Sequence, residues 1–450
     1  MHTRDGLFDG VFARGGVDTT DRAWLQAMLD TEAALARALE AAGLAEPGAG
    51  AAVTAAAQAA AFDPAELGRH AAGPGNPVPA LVRELAGRLP RGPAAAVHQG
   101  ATSQDIIDTA AMLLARQALG AAAADLAAAA AAAAGLAGAY RDTIMIGRTL
   151  LQQAVPVTFG LVAAGWLTGL DEAREALARV TRTRLAVQFG GAAGTLAPLG
   201  GRGPEVAGLL AAELGLAAPV LPWHTDRLRI TEIAGACAGA TGILGKIARD
   251  VTLLAQPEIG EVREGGSGGG SSAMPHKHNP AAAIAILGCT RQVPGLLATL
   301  SAAAEQGHQR AAGAWHAEWE PLSDLLRLAG SAASWGAELL ASLEPDPARM
   351  RDNLLAAGGF PMAEHVASLL SPGLGRAAAH DVVARASARA VAQRRALREV
   401  LLETTEVAGA GITAGELDEA LDPTEYLGSA ASFVAAALAA YRGRAQKGWS

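Results

Sequence analysis

Apolar residues recur along much of the chain at the three- and four-residue spacing of helices. Between residues 20 and 42 they form one helical face, which consists of Trp24, Leu25, Met28, Leu35 and Leu39. Thr20 or Asp21 can cap this helix, and Gly43 ends it. The pattern therefore predicts a long amphipathic helix near the N-terminus.

The rest of the chain alternates between broken and long helical patterns. Seven prolines interrupt residues 44–100, which predicts short helices and loops there. Longer helical segments are predicted at residues 106–139, 154–188, 228–256, 281–303 and 320–344. The first of them carries hardly any charge, and a helix that is apolar all round must be buried on all sides. Several such helices in one chain predict a bundle whose core is shared between subunits.

Composition supports an all-α protein. Alanine, the best helix former, accounts for 111 of the 450 residues, whereas aromatic residues make up only 4%. A chain of this length exceeds one ordinary core, which predicts two or three domains, and the shorter, arginine-rich segments after residue 345 favour three. They are an N-terminal helical domain at 1–105, a central helix-bundle domain at 106–344 and a C-terminal helical domain at 345–450.

Charge and the N-terminal residues narrow the class of protein. The net charge of −8 argues against a nucleic-acid-binding protein. The first residues show no secretory signal, and the stretch at 121–139 lacks the leucine-rich composition that inserts into membranes. Cys237 and Cys289 each lie in an apolar helical pattern and are predicted to be core residues. We therefore expect a cytoplasmic protein with neither a membrane nor a nucleic acid as its partner.

A glycine-rich segment provides the first candidate chemistry. Residues 265–270 contain five glycines and one serine, and Asn279-Pro280 follows just before the helix predicted at 281. Asn caps helices well, Pro suits the first helical position, and free N–H groups at a helix start attract anions. Lys277, one of only three lysines, stands two residues before the cap. The segment is either a flexible linker or, as we favour, a functional loop that binds negative charge.

The residues after these glycines carry a family resemblance. The segment 271–280 reads Ser-Ser-Ala-Met-Pro-His-Lys-His-Asn-Pro and closely resembles the signature of the fumarase/aspartase superfamily. Gly-Ala-Thr-Ser-Gln-Asp at 100–105 and Gly-Arg-Thr-Leu-Leu-Gln at 147–152 resemble the two substrate-binding segments of that superfamily. The resemblance implies a three-domain fold around a long-helix bundle in a homotetramer. It also implies active sites that combine segments from three different subunits.

Five further segments resemble one branch of the superfamily, the 3-carboxy-cis,cis-muconate cycloisomerases. They lie at 98–110, 188–195, 222–225, 314–319 and 421–429. This resemblance implies lactonisation of 3-carboxy-cis,cis-muconate to 4-carboxymuconolactone, a step of protocatechuate breakdown, without a cofactor. The partner would be a small polycarboxylate substrate.

The resemblance also implies roles for residues of the signature. Ser271 would be the general base that moves a proton on the carbon beside a substrate carboxylate. Lys277, Asn279 and the helix N-terminus would stabilise the enediolate-like dianion that results. Met274 belongs to the same segment and would contact the substrate.

The other segments supply further candidates. Thr102 and Ser103 would hold substrate carboxylates, although both also suit the N-cap of the long helix. His98 is the candidate second acid or base, or else a simply hydrogen-bonded histidine. Gln152 and Arg148 would contact the substrate, with a structural ion pair as the alternative for Arg148.

Basic residues elsewhere complete the set of candidates. His224 and Arg227, in the Trp-His-Thr segment, are candidate walls of the substrate site, and Arg310 is a candidate local charge for the substrate. His276 and His278 flank a lysine with no third ligand nearby, so we expect no metal site.

Departures from the family pattern bear on the reaction. Many lyases of the superfamily have a histidine at the position of Leu150, where an amine or hydroxide leaving group needs a proton. A carboxylate leaves without one, so Leu150 favours a cycloisomerase. His278 replaces a usual arginine, and Gly307 and Gln309 replace two acidic residues, which bears on the exact substrate. Two alternatives stay open: a superfamily lyase that releases fumarate or a relative from a succinyl-type substrate, and a catalytically silent helical scaffold.

Overall fold

The computed structural model of the protein describes residues 6–265, 269–270, 274 and 277–446. Within these residues the chain is mainly helical, with four short strands in two antiparallel pairs. The predicted all-α fold is therefore confirmed.

The helices and strands are numbered in chain order. The first ten helices are α1 (Asp9–Phe12), α2 (Asp21–Ala41), α3 (Ala49–Ala56), α4 (Pro64–His70), α5 (Val78–Gly87), α6 (Arg91–Ala94), α7 (Ser103–Ala139), α8 (Phe159–Arg184), α9 (Gly203–Leu214) and α10 (Leu228–Leu254). The others are α11 (Ala281–Thr290), α12 (Val293–Ala302), α13 (Trp319–Ser342), α14 (Pro347–Ala356), α15 (Ala363–Leu374), α16 (Arg376–Gln393), α17 (Leu397–Leu402), α18 (Thr405–Gly409), α19 (Ala414–Ala420) and α20 (Ala430–Gln446). The strands are β1 (Ile144–Thr149), β2 (Gln152–Thr158), β3 (Val262–Glu264) and β4 (Leu343–Pro345).

The chain forms two compact units, each made of three stretches. Unit 1 consists of Met1–Ala127, Glu172–Lys246 and Ala285–Gly336. Unit 2 consists of Ala128–Asp171, Ile247–Ile284 and Ala337–Ser450. These boundaries differ from the three consecutive domains expected from the sequence, and that division stays a prediction.

Unit 1 is built on α2, which packs against α3 and α9. The Thr20 hydroxyl accepts a hydrogen bond from the Ala23 N–H and caps α2, as its sequence predicts. The apolar face of α2 joins a core that also holds side chains from α5 and α7, among them Leu29, Leu81 and Ile106. The middle of α2 is buried all round, because every residue from 31 to 36 is buried.

Unit 2 contains the β1–β2 hairpin and a C-terminal helical core. β1 pairs antiparallel with β2 and packs against α14. The C-terminal core lies between α15 and α16, where Val366, Val383 and Leu397 are buried. Trp166 on α8 is fully buried, and its indole N–H donates to Asp250 at 2.7 Å.

Two of the predicted helices are wrong in part. Residues 154–158 belong to β2 and α8 begins only at Phe159, because a short apolar run suits a buried strand as well as a helix. The segment predicted at 281–303 is two helices, α11 and α12, with a break at 291–292. Pro294, near the start of α12, has no N–H to continue the hydrogen bonds of α11.

The most apolar helices are not fully covered within one chain. Ser103–Ala139 and Ala281–Ala302 are each long and apolar enough to cross a membrane. In each of them, 33% of the most apolar stretch is buried. Along α7 the exposed positions in unit 2 are small residues, namely Ala128, Ala131, Gly135, Gly138 and Ala139. The burial predicted for α7 on all sides is thus absent in the single chain. Cys237 and Cys289 are buried, as predicted.

Candidate active site

Asp105 lies in the first turn of α7, is buried, and forms several hydrogen bonds that fix the start of the helix. Its carboxylate accepts hydrogen bonds from the backbone N–H groups of Gly190 at 3.1 Å and Gly191 at 2.9 Å. It also accepts one from the Thr102 N–H at 3.0 Å and contacts His224 Nε2 at 2.7 Å. These charge-assisted bonds fix the beginning of α7 against the loop that carries both glycines.

Gly191 is required at this point of the loop. Its φ of +66° lies in the left-handed region, and a Cβ atom there would come within 2.8 Å of the Gly100 carbonyl oxygen. Any larger residue would separate the loop from the segment that precedes α7. The glycine thus lets two stretches of the predicted substrate-binding region meet.

Thr102 and Ser103, the candidates for binding a substrate carboxylate, lie at the start of α7. Thr102 lies just before α7, Ser103 begins it, and both are half-buried. The bond from the Thr102 N–H to Asp105 is one half of a capping box, so the helix-start alternative for this segment is confirmed. Neither hydroxyl has a hydrogen-bond partner within the described part of the chain, so both remain available to an anion at the helix N-terminus.

His98 is held by a carboxylate that sequence spacing did not single out. Its Nδ1 lies 2.7 Å from Glu32 Oε1, and its backbone N–H donates to Glu32 Oε2 at 2.8 Å. Burial of the imidazole opposes protonation, but the hydrogen bond with Glu32 and the charges of Glu32 and Asp105 outweigh it and raise the pKa of His98. Glu32 was detectable, because it falls among the apolar residues of α2 at helical spacing from Met28 and Leu35.

His224 and Arg227, the candidate walls of the substrate site, are buried against carboxylates of the protein, and their role at a substrate site stays a prediction. His224 is buried against Asp105. Arg227 is also buried, and its guanidinium is shared by Asp108 at 2.8 Å and Glu318 at 2.6 Å. Both side chains therefore pair with buried carboxylates and hold the residues around the start of α7 in place.

The two buried carboxylates beside Arg227 are stabilised by its positive charge and by further hydrogen bonds. Burial raises the pKa of Glu318, an effect that the adjacent Arg227 partly offsets. Gln306 donates to the same carboxylate at 3.0 Å, and the Trp315 indole N–H donates to Asp108 at 3.0 Å. One arginine thus joins two carboxylates on separate helical segments into a single buried network.

Arg310 binds protein atoms as well as being a candidate charge for the substrate. Its guanidinium donates to Gln104 Oε1 at 3.1 Å and to the carbonyl oxygens of Gly191 and Ala192 at 3.1 and 2.8 Å. The side chain is half-buried. In the structure Arg310 therefore tethers the loop of Gly191, and its positive charge remains near the start of α7.

In unit 2, Arg148 forms the structural ion pair that was its alternative role. Two guanidinium nitrogens bind the two carboxylate oxygens of Glu261 at 2.8 and 2.7 Å. Glu261 is fully buried and also accepts from Asn353 at 2.8 Å. The bidentate contact confirms the structural ion pair, and the predicted contact of Arg148 with the substrate stays a prediction.

Gln152 begins β2 next to a two-residue turn and is exposed. Leu150 and Leu151 form the turn, both with left-handed backbone at φ of 51° and 65°, and their side chains are 96% and 74% exposed. Such turns favour asparagine and glycine, so two exposed leucines are costly there. An exposed apolar pair in strained backbone is typical of a contact with another molecule.

The structure describes residues 274 and 277–280 of the signature segment, and Asn279 links this part to the glycines at 269–270. The Asn279 backbone N–H and side-chain Nδ2 donate to the Gly269 carbonyl at 2.9 and 3.1 Å, and Gly270 pairs with His278. Gly269 has a φ of +82°, and a Cβ there would clash with the Asn279 carbonyl. Lys277 is exposed, in a turn closed by its N–H on the Met274 carbonyl.

The predicted general base, Ser271, lies outside the described residues, as do Ser272 and His276. Met274, predicted to contact the substrate, is described and 41% exposed. The described part of the segment thus places a lysine ammonium and a methionine at the surface of unit 2.

The start of α11 is already occupied by a carboxylate of the protein. Glu264 accepts from the Ala282 N–H at 2.8 Å and from the Ala283 N–H at 3.4 Å. Two N–H groups of this helix start thus donate to Glu264, and the predicted role of the helix N-terminus in stabilising a substrate dianion stays a prediction. Burial raises the pKa of Glu264 and the charge of Glu338 adds to that, against the two helix N–H groups, which lower it.

The site residues thus fall into two groups, one in each unit. Unit 1 supplies His98 with its carboxylate, the hydroxyls of Thr102 and Ser103, and the charge of Arg310. Unit 2 supplies the exposed residues Gln152, Met274 and Lys277. Chemically, such groups can bind carboxylates and move protons.

Comparisons with known proteins agree with this chemistry. A family model described as "Lyase" matches residues 16–295, and one described as "Adenylosuccinate lyase C-terminus" matches residues 359–437. A 3-carboxy-cis,cis-muconate cycloisomerase of Bradyrhizobium diazoefficiens is 46% identical over 92% of this chain and 93% of its own. A nitrosuccinate lyase of Streptomyces davaonensis is 45% identical over 95% of this chain and 93% of its own.

A solved structure extends the likeness to the fold. The 3-carboxy-cis,cis-muconate lactonizing enzyme from Pseudomonas putida has a TM-score of 0.90 and 42% sequence identity, and the match covers 97% of this chain and 99% of that one. Fold, family model and sequence identity all point the same way. The chain belongs to the fumarase/aspartase superfamily of lyases, in the group that includes the 3-carboxy-cis,cis-muconate cycloisomerases.

Proposed function

We propose that the protein is a cycloisomerase that lactonises 3-carboxy-cis,cis-muconate. One observation carries the proposal: nearly the whole chain matches cycloisomerases of this substrate, at 46% identity in sequence and a TM-score of 0.90 in fold. The site chemistry agrees, because hydroxyls at a helix start, an exposed lysine and a histidine with a buried carboxylate suit a polycarboxylate that gains a proton.

The reaction requires one carbon–oxygen bond and one proton. A carboxylate oxygen of the substrate adds to a double bond, and the carbon beside another carboxylate takes up a proton. The trianionic substrate thus becomes a dianionic lactone, and one proton per turnover enters the site. Because the nucleophile belongs to the substrate, the enzyme gains from proximity and needs only to orient, neutralise and protonate.

Three parts of the chain divide this work in the proposal. Thr102 and Ser103 bind a carboxylate at the start of α7. Lys277 neutralises the negative charge that develops as the double bond reacts. Ser271 transfers the proton at carbon, a role assigned from the signature segment alone.

The proposal includes a homotetramer with active sites shared between chains. The support is the incomplete burial of α7 and of 281–302, together with the row of exposed small residues along α7. Small residues let helices approach closely, and other copies of the chain are the apolar partners that would cover such faces. The exposed leucine pair of the β1–β2 turn is a further surface for the same contacts.

A second candidate function is elimination of nitrite from nitrosuccinate. The 45% identical nitrosuccinate lyase favours it, and so does Leu150, because nitrite leaves without a proton and needs no acid at that position. Both reactions use a carbon acid beside a carboxylate, so the site residues alone serve either one.

Two assays on the purified protein decide between these functions. Loss of the conjugated-diene absorbance of 3-carboxy-cis,cis-muconate, with the lactone as product, is the expected result. Release of nitrite from nitrosuccinate, without any turnover of the muconate, would instead assign the lyase activity.

A further inference from the structure

Glu32 is a buried carboxylate that, among the residues described, forms hydrogen bonds with His98 alone. It lies on α2, is fully buried, and accepts the Nδ1 contact and the backbone N–H of His98 at 2.7 and 2.8 Å. Within the described residues no arginine or lysine pairs with it. A carboxylate without solvent or a cation is costly unless its hydrogen bonds are satisfied, so Glu32 depends on His98.

His98 is correspondingly constrained. Its φ of +61° is in the left-handed region, which is unfavourable for a residue with a side chain. The two-point contact with Glu32 fixes both its backbone and its ring. The side chain remains 21% exposed, and its Nε2 makes no hydrogen bond to any residue that the structure describes. The free nitrogen therefore belongs to the exposed side of the ring.

We propose that Glu32 is a positioning residue that turns His98 into the proton carrier of the active site. By accepting the Nδ1 proton, Glu32 selects the tautomer whose Nε2 exchanges protons. It also stabilises the imidazolium once Nε2 is protonated. This role rests on the proposed function, in which each turnover takes up one proton. Nε2 receives that proton from solvent and passes it on to the group that protonates the substrate carbon, so His98 returns to its starting state.

The electrostatic surroundings agree with this role. The charged groups that act on His98 are Glu32 on α2 and Asp105 on α7, both of which favour the imidazolium over the opposing effect of burial. Replacement of Glu32 by an amide removes the larger of these two influences. Burial then dominates, and the imidazole should titrate at a lower pH than in the unchanged protein.

The first test observes His98 directly, without any substrate. With histidine labelled at Cε1, the His98 signal is assigned by its loss in His98→Asn and followed by NMR as pH is varied. We expect a midpoint above the ordinary value of about 6.5 in the unchanged protein. The midpoint should fall in Glu32→Gln and be largely restored in Glu32→Asp. An unchanged midpoint in Glu32→Gln would overturn the proposal.

The second test measures kcat and KM against pH. We expect His98→Asn to lower kcat by about 10²-fold or more, the usual size of general acid–base catalysis. Because the imidazolium form delivers the proton, kcat should fall as pH rises through the pKa of His98. Glu32→Gln should shift that fall to lower pH with little change in KM.

A double variant distinguishes an effect of Glu32 that acts through His98 from a general loss of structure. Glu32→Gln should add no further loss of kcat in the His98→Asn background, and an equal loss in both backgrounds would overturn the proposal. Glu84→Gln, which removes an exposed carboxylate of the same unit, is the matched control and should leave both midpoint and kcat unchanged. If neither muconate nor nitrosuccinate turns over, the proposed function fails, while the NMR titration still decides the role of Glu32.

Discussion

At the scale of single residues, most basic side chains near the start of α7 serve carboxylates of the protein. Arg227 joins Asp108 to Glu318, and His224 contacts Asp105, all of them in buried positions. Buried charges of this kind gain little net stability from one another, but the loss of one partner leaves the others unpaired. The network therefore fixes the geometry of the site and makes it sensitive to single substitutions.

Replacement of Arg227 tests this network. Arg227→Met leaves two buried carboxylates without their cation, so we expect the free energy of unfolding to fall by about 3–5 kcal/mol, as judged by chemical denaturation. Arg83→Met, which removes an exposed arginine of α5 in the same unit, is the control and should change little. Equal stability of the two variants would mean that the ion pairs carry no structural role.

Lys277 tests the assignment of charge to the signature segment. It is exposed in unit 2, and in the proposed function its ammonium neutralises negative charge on the substrate. We expect Lys277→Met to lower kcat by about 10²–10³-fold, the usual effect of losing one charge-stabilising group. Lys246→Met, which removes another exposed lysine, should keep its activity within about twofold. Full activity in Lys277→Met would remove the lysine from the mechanism.

At the scale of elements, the start of α11 is stabilised by the protein itself. Glu264, at the end of β3, binds the first free N–H groups of the helix and so connects the strand to the signature segment. A carboxylate at a helix N-terminus is favourable, whereas its burial and the nearby Glu338 are not. The balance of these effects makes the helix start dependent on pH.

The sign of that dependence follows from the pKa of Glu264, which is raised in the folded protein. The folded state holds the proton more tightly than the unfolded chain, so this group stabilises at low pH. Its contribution is lost as pH rises from the unfolded value of about 4.5 through the folded value. We therefore expect the melting temperature of the unchanged protein, relative to Glu264→Gln, to decline between pH 4 and 7.

An exposed carboxylate, that of Asp142, provides the control for the Glu264→Gln experiment. Asp142→Asn removes a carboxylate that is 80% exposed in the same unit, and its difference from the unchanged protein should stay flat over that pH range. A flat difference for Glu264→Gln as well would show that its burial has no effect on stability.

Local spacing predicted the elements whose partners are close in the chain. Thr20 caps α2 three residues ahead of its donor, and both ends of that helix follow from residues directly beside it in the chain. The β1–β2 hairpin was missed because its second strand reads as an apolar run before α8. The ion pair of Arg148 was only an alternative, since its partner Glu261 lies 113 residues further along. Long-range partners of this kind leave no periodic trace in the sequence.

At the scale of the whole molecule, an acidic protein must attract an anionic substrate. The net charge of −8 repels a trianion at long range, so local cations such as Lys277 and Arg310 must supply the attraction. A homotetramer would bring such cations from several chains into one site. The same neighbouring chains would also cover the exposed faces of α7.

Assembly can be tested on the exposed small residues of α7. Ala131→Glu places a charge where we propose that another copy packs, so we expect light scattering to show fewer chains per particle and activity to fall with it. Ala377→Glu, on an exposed position of α16, is the matched control and should keep the mass of four chains. An unchanged assembly in Ala131→Glu would place the interface elsewhere.

The central claim is the lactonisation of 3-carboxy-cis,cis-muconate, and an absorbance assay tests it most directly. The purified protein, shown to be folded by its helical circular dichroism, is mixed with the muconate and with nitrosuccinate in separate reactions. We expect the diene absorbance to disappear, the lactone to form without added metal or cofactor, and no nitrite to be released. A folded protein that leaves the muconate untouched and releases nitrite from nitrosuccinate would contradict the claim.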